Sequence, residues 1–551
     1  MKELTVPHND IIEEMVVPLT NISECSQYAL ERLNLGYNLL NGSIPESLGR
    51  LTSLRGLDMS FNRLSGPVPE ALGKLTSLQV LDLSFNGLTG PIPETLEKLT
   101  SLQVFDVSSN HLIGRILKFH GQLTKLRLAH NQFNGLIPES LGRFTDLTQL
   151  LLQSNRLTGP IPISLQRLVS LQKFSVSSNV LGGTILDSFG HLTRLDYLDV
   201  SNNSLENEFP QWFRTQRNLK ELALSSANIS GPLPTWLRKM PLIRVIDLSH
   251  KNLTGSLKSL PSKDGFEHVG FDSGGGILLL QNNLFSGSIP TLLYTRNDLS
   301  VLDLSRNRLT REIPKCLSNI EYLTMILFSS NMLSGDISRF LGHLPSLLMW
   351  LQLNDNNFTE ELSQEFAYLR DLNVLDLGEN KISGTIPKWI GKNLTQLHIL
   401  RMHRNNFTGR IPQSLCTASF LKKLDLAHNS LTGSIPRCFG DFYGMISPPW
   451  SEDTLSYWNI NGNVMQGIPY NIGNMKGLIS LDLSANHLTV IIPPSMADLN
   501  FLTRLNLSHN SLSGKIPIGN LLQTLTDPSI YTGNRDLCGA PLLKNCSNHA
   551  A

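Results

Sequence analysis

A phrase that recurs along almost the whole chain constrains its fold more than any other feature. In residues 71–95, ALGKLTSLQVLDLSFNGLTGPIPET, leucines stand at fixed offsets from Asn86. The same pattern surrounds Asn62 and Asn110, and each step (86 − 62 and 110 − 86) is 24 residues. A pattern repeated in register at this period indicates coils that stack on one another, because no single copy could bury its apolar side chains alone.

The phrase L-x-x-L-x-L-x-x-N-x-L is the signature of a leucine-rich repeat. Leu81 and Leu83 alternate with polar residues, as in a strand with one buried face and one exposed face. Asn86 follows the strand, and its amide can pair with backbone groups that the turn leaves inside the coil. The sequence therefore predicts an α/β leucine-rich repeat solenoid, a curved right-handed superhelix with a parallel β-sheet on its concave face.

One residue at the turn position of each copy, here called the marker, allows the coils to be counted. The markers predict about 20 coils. Eighteen of the markers are asparagine, and the other two positions carry Ala227 and Lys251. The markers are Asn38, Asn62, Asn86, Asn110, Asn131, Asn155, Asn179, Asn203, Ala227, Lys251, Asn283, Asn307, Asn331, Asn356, Asn380, Asn405, Asn429, Asn463, Asn486 and Asn510.

Breaks in the period predict the domain organisation. A polar, Gly-rich stretch lengthens the step from Lys251 to Asn283, and an aromatic- and Pro-rich stretch lengthens the step from Asn429 to Asn463. Insertions in a solenoid form loops and are frequent binding elements, although degenerated repeats would give the same pattern. The predicted domains are an N-terminal segment that is not a complete cap (1–29), repeats (30–437), an island-like insertion (438–457), final repeats (458–518) and a C-terminal cap (519–551).

Composition and motifs argue against nucleic-acid binding and catalysis. The formal net charge is +1, which provides no basic surface for nucleic acid or an anionic membrane. The sequence contains no GxxxxGK[ST], no set of kinase motifs, no HExxH and no GxSxG. Aspartates recur at one strand position, which fits a repeat template better than paired catalytic carboxylates. We therefore expect no enzyme activity, no cofactor and no metal site.

One stretch of the concave strands has a less uniform composition than the rest and is the candidate ligand-binding surface. Clustered Arg, Trp and acidic residues next to an insertion are typical of an interface hot spot, whereas a merely solvated face is the alternative. The candidate residues are Trp350, Gln352, Asp355, Asp376, Glu379, Arg401, His403, Arg404, Lys423 and His428.

The cysteines and the glycosylation sequons add further candidate sites. Cys416 and Cys438 lie on neighbouring coils near disulfide reach, and Cys538 and Cys546 could staple the closing segment. Cys316 has no obvious partner and is expected to be a buried thiol. N-x-[ST] sequons permit glycosylation but arise easily by chance in a chain rich in Asn and Ser. They occur at Asn21, Asn41, Asn202, Asn228, Asn252, Asn357, Asn393, Asn406, Asn506 and Asn545.

The second half of the phrase resembles the plant-specific class of leucine-rich repeat. Examples are GSIPESLGRL at 42–51 and GPIPETLEKL at 90–99, and the tail GNLLQTLTDPSIYTGNRDLCGAPLLKNC resembles the C-terminal cap of plant receptor-like proteins. The order of array, interruption, final repeats and cap also matches that family. The resemblance implies a repeat array at the plasma membrane that faces the extracellular side, binds a ligand and signals through a partner kinase. The family's paired N-terminal cap and membrane helix are expected to be absent here, as in an ectodomain portion without a signal peptide.

The resemblance therefore predicts a non-enzymatic ectodomain that recognises a peptide, a glycan or a microbial protein in plant defence or development. The expected partners are this ligand and a co-receptor kinase, with no nucleic acid and with membrane contact only through a segment outside this sequence. Two alternatives stay open. One is a soluble inhibitor of a pathogen enzyme, similar to polygalacturonase-inhibiting proteins, and the other is a receptor kinase whose kinase half is absent from this sequence.

Overall fold

The chain folds into two compact units of stacked coils. The first unit is Met1–Gly255 with Ser259–Pro261, and the second is Ser256–Lys258 with Ser262–Ala551. The computed structural model describes residues 2–9, 30–185, 187–240, 242–261, 275–337, 340, 344, 346–442, 456–519, 522 and 524–546.

Each coil contributes one short strand, here called the main strand, to a parallel sheet. Leucine pairs with leucine across the coils, as Leu57 does with Leu81, and both side chains are 0% exposed. Burying one such side chain contributes about 1.5–3 kcal/mol, so the column of leucines is the chief source of stability. The main strands of the first unit are Glu3–Thr5, Arg32–Asn34, Gly56–Asp58, Val80–Asp82, Val104–Asp106, Lys125–Arg127, Gln149–Leu151, Lys173–Ser175, Tyr197–Asp199, Glu221–Ala223 and Val245–Asp247. Those of the second unit are Gly276–Leu279, Leu299–Asp303, Met325–Leu327, Trp350–Gln352, Val374–Asp376, Ile399–Arg401, Lys423–Asp425, Ser456–Asn459, Leu478–Asp482 and Arg504–Asn506.

A second, shorter strand follows the turn in most coils. In the first unit these strands are Asn41–Ser43, Arg63–Pro67, Gly87–Pro91, His111–Gly114, Gln132–Leu136, Arg156–Gly159, Val180–Gly183, Ser204–Glu208, Asn228–Pro232 and Asn252–Thr254. In the second unit they are Ser286–Gly287, Arg308–Arg311, Met332–Gly335, Asn357–Phe358, Thr408–Arg410, Ser430–Ser434, Val464–Gly467, Ser513–Lys515 and Asp536–Cys538.

Helical segments close the coils, and nearly all those described are short 3₁₀ turns. A proline precedes each typical helical segment, and the segment is only about five residues long. Such a short length suits a 3₁₀ turn better than an α-helix. Trp389–Asn393 is an α-helix. The 3₁₀ segments are Glu46–Arg50, Glu70–Lys74, Glu94–Lys98, Glu139–Arg143, Ile163–Arg167, Asp187–His191, Gln211–Thr215, Thr235–Lys239, Leu257–Ser259, Thr291–Thr295, Lys315–Asn319, Gln364–Tyr368, Gln413–Thr417, Arg437–Asp441, Ile472–Asn474, Pro494–Asp498 and Pro528–Tyr531.

The asparagine at the marker position forms a ladder of hydrogen bonds through the interior. Asn86 Nδ2 donates to the carbonyl oxygens of Met59 at 2.9 Å and of Leu83 and Ser84 at 3.2 Å. Its Oδ1 accepts from the Leu64 N–H at 3.0 Å. The amide therefore satisfies backbone groups of two adjacent coils at once, as the sequence predicts.

The predicted leucine-rich repeat solenoid is confirmed within each unit, and the structure adds a coil that the count of markers omits. Residues 3–5 of the predicted N-terminal segment form a strand parallel to Arg32–Asn34. In this coil Leu4 and Asn9 occupy the template positions, but the long step from Asn9 to Asn38 hides them from a periodic search.

The segment after the last main strand covers the end of the leucine column. Tyr531, 1% exposed, packs over the last coil, and Asn534 repeats the ladder bond by accepting from the Leu512 N–H at 2.9 Å. The strand Asp536–Cys538 pairs in parallel with Ser513–Lys515. The exact domain boundaries stay predictions, and residues 443–455 of the predicted insertion lie outside the described residues.

Candidate ligand-binding surface

Five of the ten candidates lie on neighbouring main strands of the second unit, and the other five follow the ends of these strands within three residues. The strands 350–352, 374–376, 399–401 and 423–425 pair in register, so that Gln352, Asp376, Arg401 and Asp425 form one column. The central leucine of each strand is buried, and the flanking side chains therefore point out of the opposite face of the sheet.

Ionic contacts join most of the central candidates into one cluster. Arg401 Nη1 lies 3.4 Å from Asp376 Oδ2. His403 Nε2 lies 3.5 Å from Glu379 Oε1, and its Nδ1 lies 3.6 Å from Asp425 Oδ2. Arg404 Nη1 lies 3.5 Å from the same Glu379 oxygen. We call these residues the charged patch, which consists of Asp376, Glu379, Arg401, His403, Arg404 and Asp425.

The carboxylates of the charged patch differ in burial. Asp376 is 4% exposed, and burial raises its pKa, while the Gly378 N–H, Arg401 and His403 act in the opposite direction. The Gly378 N–H donates to Asp376 Oδ1 at 3.1 Å, which leaves the second oxygen for Arg401. The buried carboxylate of Asp376 thus anchors Arg401, and an ordered side chain loses little entropy when a ligand binds.

A glycine makes room for the histidine of the charged patch. A β-carbon on Gly378 would overlap the imidazole ring of His403. The ring therefore lies directly above the backbone of the neighbouring coil, between Glu379 and Asp425.

The other candidates surround the charged patch without a described ionic contact to it. Trp350 is 38% exposed and presents a large apolar surface at the start of its strand. Gln352 is half-buried, and Asp355 is exposed after a left-handed backbone step with φ of 57°. Lys423 is half-buried at the start of its strand, and His428 is exposed.

Sequence reasoning missed Asp425 as a member of this surface. It assigned Asp425 to the repeated aspartate position, where the carboxylate serves the turn. That role is real, because Asp425 Oδ1 accepts from the Ala427 N–H at 3.2 Å. The second oxygen nevertheless contacts His403, and aligning the strands into columns would have placed Asp425 beside Arg401.

The charged patch has features of a binding surface. Within the described ranges, no group of three or more His, Cys, Asp or Glu side chains is arranged to hold a metal ion. The repeated aspartates elsewhere are used by the fold, as in Asp82, whose Oδ1 accepts from the Ser84 N–H at 3.0 Å. A polar partner requires paired charges whose ends are partly exposed, as Arg404 and Glu379 are here.

The cysteines lie where the sequence suggested, with one difference. Cys416 and Cys438 form a disulfide with a Cα–Cα distance of 5.8 Å at the start of the insertion, and Cys538 and Cys546 form another at 5.0 Å. Cys316 is half-buried rather than fully buried, because its coil position lies at the edge of the interior, and burial raises the pKa of its thiol.

The sequon asparagines are not the buried asparagines of the ladder. Asn202, Asn228, Asn252, Asn406 and Asn545 are exposed, and Asn41, Asn357, Asn393 and Asn506 are half-buried. Asn21 lies outside the described residues. Glycosylation at these positions stays a prediction. Among the described residues, no helix is both long and apolar enough to span a bilayer.

Family comparisons identify leucine-rich repeats along much of the chain. A family described as a leucine-rich repeat region matches residues 29–256. Two further leucine-rich repeat families match residues 457–512 and the segments 298–320, 371–393, 396–418 and 420–442.

Known plant proteins share both the sequence pattern and the fold. Receptor-like protein 54 of Arabidopsis thaliana is 42% identical over 60 residues, which are 11% of this chain and 8% of that protein. The ectodomain of the Arabidopsis receptor kinase GASSHO1/SCHENGEN3, solved with CASPARIAN STRIP INTEGRITY FACTOR 2, superposes with a TM-score of 0.76 at 33% identity. The match covers 99% of this chain and 65% of that chain. The Arabidopsis receptor kinase HAESA, solved with the peptide hormone IDA and the co-receptor SERK1, superposes with a TM-score of 0.71 at 31% identity, covering 93% of this chain and 87% of that chain.

Proposed function

Because this chain belongs to the family of plant leucine-rich repeat receptor ectodomains, we propose that it is the ligand-recognition part of a plant cell-surface receptor-like protein. The charged patch with Trp350 is the ligand-binding surface. The ligand is an extracellular peptide or another elicitor, and the response passes through a partner kinase. The function is recognition without catalysis on the extracellular side of the plasma membrane.

The observation that carries this proposal is the ionic network on an exposed face. Here two arginines and a histidine lie within 3.6 Å of three carboxylates on neighbouring coils. The pair of Arg404 and Glu379 is exposed, and such a pair contributes only about 0–1 kcal/mol, so stability alone gives little reason for it. Arg and Trp, in contrast, are the residue types enriched in binding hot spots.

The similarity to HAESA supports a peptide as the ligand class and a kinase as the partner. HAESA was solved with a peptide hormone and with SERK1, and it shares 31% identity with this chain. Charged groups that alternate in sign from one strand to the next, as Asp376, Arg401 and Asp425 do, suit an extended peptide, whose backbone and side chains offer both donors and acceptors.

The test is selection of peptides on the full chain followed by a variant of the charged patch. Peptides from a random displayed library are enriched on the wild-type chain, and their dissociation constants are then measured by fluorescence anisotropy. The variant combines Trp350→Ala, Arg401→Gln and Arg404→Ala. Since hot-spot truncations cost about 2 kcal/mol or more, we expect binding to weaken by at least about 30-fold.

Arg504→Ala provides a matched control, because Arg504 is exposed and starts a main strand as Trp350 does. The control is expected to bind the selected peptides like the wild type. Peptides that bind the patch variant as tightly as the wild type would refute the placement of the site. Failure to enrich any peptide would refute peptide recognition by this chain.

A further inference from the structure

Four aromatic rings form a continuous stack on the first unit. The ring centroids of His8 and Tyr37 lie 4.3 Å apart, those of Tyr37 and Phe61 4.2 Å, and those of Phe61 and Phe85 4.0 Å. The planes of the last three rings are 12° apart at each step. Tyr37, Phe61 and Phe85 are 45%, 36% and 47% exposed, so their edges form an apolar ribbon facing solvent.

The repeat template does not require aromatic residues at this position. It is the position before the ladder asparagine, where the backbone is left-handed with φ of 51° at Phe61 and 53° at Phe85. Ser109 and Ser178 adopt the same conformation in other coils, with φ of 55° and 52°. Serine therefore satisfies the fold, and the exposed rings need another explanation.

A column of carboxylates runs beside the aromatic ribbon on the same coils. Asp58, Asp82 and Asp106 are direct register partners on adjacent strands, each a few residues before its turn. Arg127 Nη1 lies 3.1 Å from Asp106 Oδ2. Among the described residues, no lysine or arginine lies within ion-pair distance of Asp58 or Asp82, although their Oδ1 atoms accept hydrogen bonds from Ser60 and Ser84.

Like charges opposite one another in a sheet destabilise it. Burial raises the pKa of Asp82 to about 6, and the carboxylates of Asp106 and Asp58 act in the same direction. A cation placed on this column would relieve the repulsion, and an apolar group would cover the ribbon next to it.

We propose that the ribbon of Tyr37, Phe61 and Phe85 together with Asp58 and Asp82 is a docking surface for a cationic peptide segment that alternates Lys or Arg with apolar side chains. We call it the aromatic–acidic strip. Charge complementarity selects the occupant, because the basic side chains reach the carboxylates and the apolar ones pack on the ring edges. The strip lies on the first unit, so it is independent of the charged patch and of the proposed function.

The test uses a short fluorescein-labelled peptide of alternating Lys and Leu on the full chain. We expect it to bind, and a Glu–Leu peptide and a Lys–Ser peptide to bind at least about tenfold more weakly. The double variant Asp58→Asn/Asp82→Asn is expected to weaken the Lys–Leu peptide at least about tenfold, as is Phe61→Ser/Phe85→Ser.

We expect these substitutions to keep the fold, because other coils already carry Asn or Ser at the equivalent positions. Asn506 occupies the aspartate position in its own coil, and its Oδ1 accepts from the Ser508 N–H at 3.2 Å. Asp199→Asn is the matched control, since Asp199 makes the same turn bond to Ser201 without an aromatic stack. It is expected to leave binding unchanged, as is the variant of the charged patch.

The pH supplies a separate readout. The groups facing Asp82 are Asp58 and Asp106, with Arg127 on the far side of Asp106. A bound cation favours the ionised form of Asp82, so affinity should be full above pH 6 and fall as the pH drops through about 6. Equal binding by the wild type and the Asp58→Asn/Asp82→Asn variant, or no binding of the Lys–Leu peptide to the wild type, would overturn the proposal.

Discussion

Replacing Lys251 by asparagine should stabilise the first unit, because Lys251 interrupts the asparagine ladder. The side chain is 6% exposed, and its Nζ donates to the carbonyl oxygen of Ala227 at 3.2 Å. Lysine has no acceptor, so the Ile229 N–H, which would meet an asparagine Oδ1 in a regular coil, bonds instead to the Ala227 oxygen at 2.7 Å. Asparagine at position 251 would restore that acceptor and remove a buried amine.

The size of the effect depends on pH and follows from the pKa of the amine. Burial lowers the pKa of Lys251 from 10.5 to about 7, and the smaller effect of Asp247 acts in the opposite direction. Between these values the unfolded chain binds a proton that the folded chain does not, so stability rises with pH. A difference of one bound proton between the two states changes the free energy of unfolding by 1.36 kcal/mol for each pH unit. The free energy of unfolding of the wild type should therefore rise by about 2 kcal/mol between pH 7 and pH 9. Below pH 7 both states are protonated, and the gain is absent.

The assay is amide hydrogen exchange by mass spectrometry over the coils at 221–255, comparing variants at the same pH. Exchange reports the local opening free energy, which suits a repeat protein better than a global transition. The Lys251→Asn variant should exceed the wild type at pH 7 by about 2–4 kcal/mol, and the excess should shrink by about 2 kcal/mol at pH 9.

Lys251→Met serves as the control that separates charge from hydrogen bonding. It should lose the pH dependence as Lys251→Asn does, but without restoring the bond to the Ile229 N–H. The opposite result would be a difference in opening free energy between the wild type and Lys251→Asn that stays constant from pH 7 to pH 9. It would show that the amine stays charged in the folded chain. The reasoning would then be refuted.

Two further substitutions test the ladder and the charged patch. Asn86→Ala removes hydrogen bonds to two coils and leaves the Leu64 N–H unpaired, so the local opening free energy should fall by about 2–4 kcal/mol in the same exchange assay. Asn202→Ala is the exposed control. Equal protection in both variants would contradict the role of the ladder. Gly378→Ala should displace the His403 ring and weaken peptides selected on the chain by about tenfold with little loss of stability. Gly182→Ala, at a glycine with open space around it, should change neither quantity, and unchanged peptide binding in Gly378→Ala would exclude His403 from the site.

The scaffold was predictable because one set of interactions repeats in every coil. Leucines at alternate positions predict the buried face of each main strand, and the amide of Asn86 predicts a group that pairs with the backbone of the turn. The coil at residues 3–9 escaped because its marker, Asn9, stands 29 residues before Asn38, outside the period. Periodicity therefore finds a coil only where the spacing is kept.

The candidate surfaces were predictable only in part, because a single phrase does not show which side chains meet across coils. The charged patch was found from the local composition around Arg401, but Asp425 was assigned to the template. The aromatic stack was missed altogether, since Tyr37, Phe61 and Phe85 stand 24 residues apart and look unrelated along the chain. Aligning the coils by their asparagines would bring these residues into one column.

A residue in such an array can serve the scaffold and a ligand together, and its atoms decide which. One oxygen of each aspartate at the strand position bonds the turn, as Asp82 does with Ser84 and Asp376 with Gly378. The second oxygen has different neighbours in different coils, because the turn does not use it: that of Asp106 contacts Arg127, and that of Asp482 accepts from Asn506 Nδ2. Beside Arg401 it joins an ion pair, whereas in Asp82 it faces other carboxylates and meets no described lysine or arginine. We therefore expect functional sites in this chain where a repeated residue keeps its identity but its neighbours on the adjacent coils change. A change of the repeated residue itself is a weaker indication.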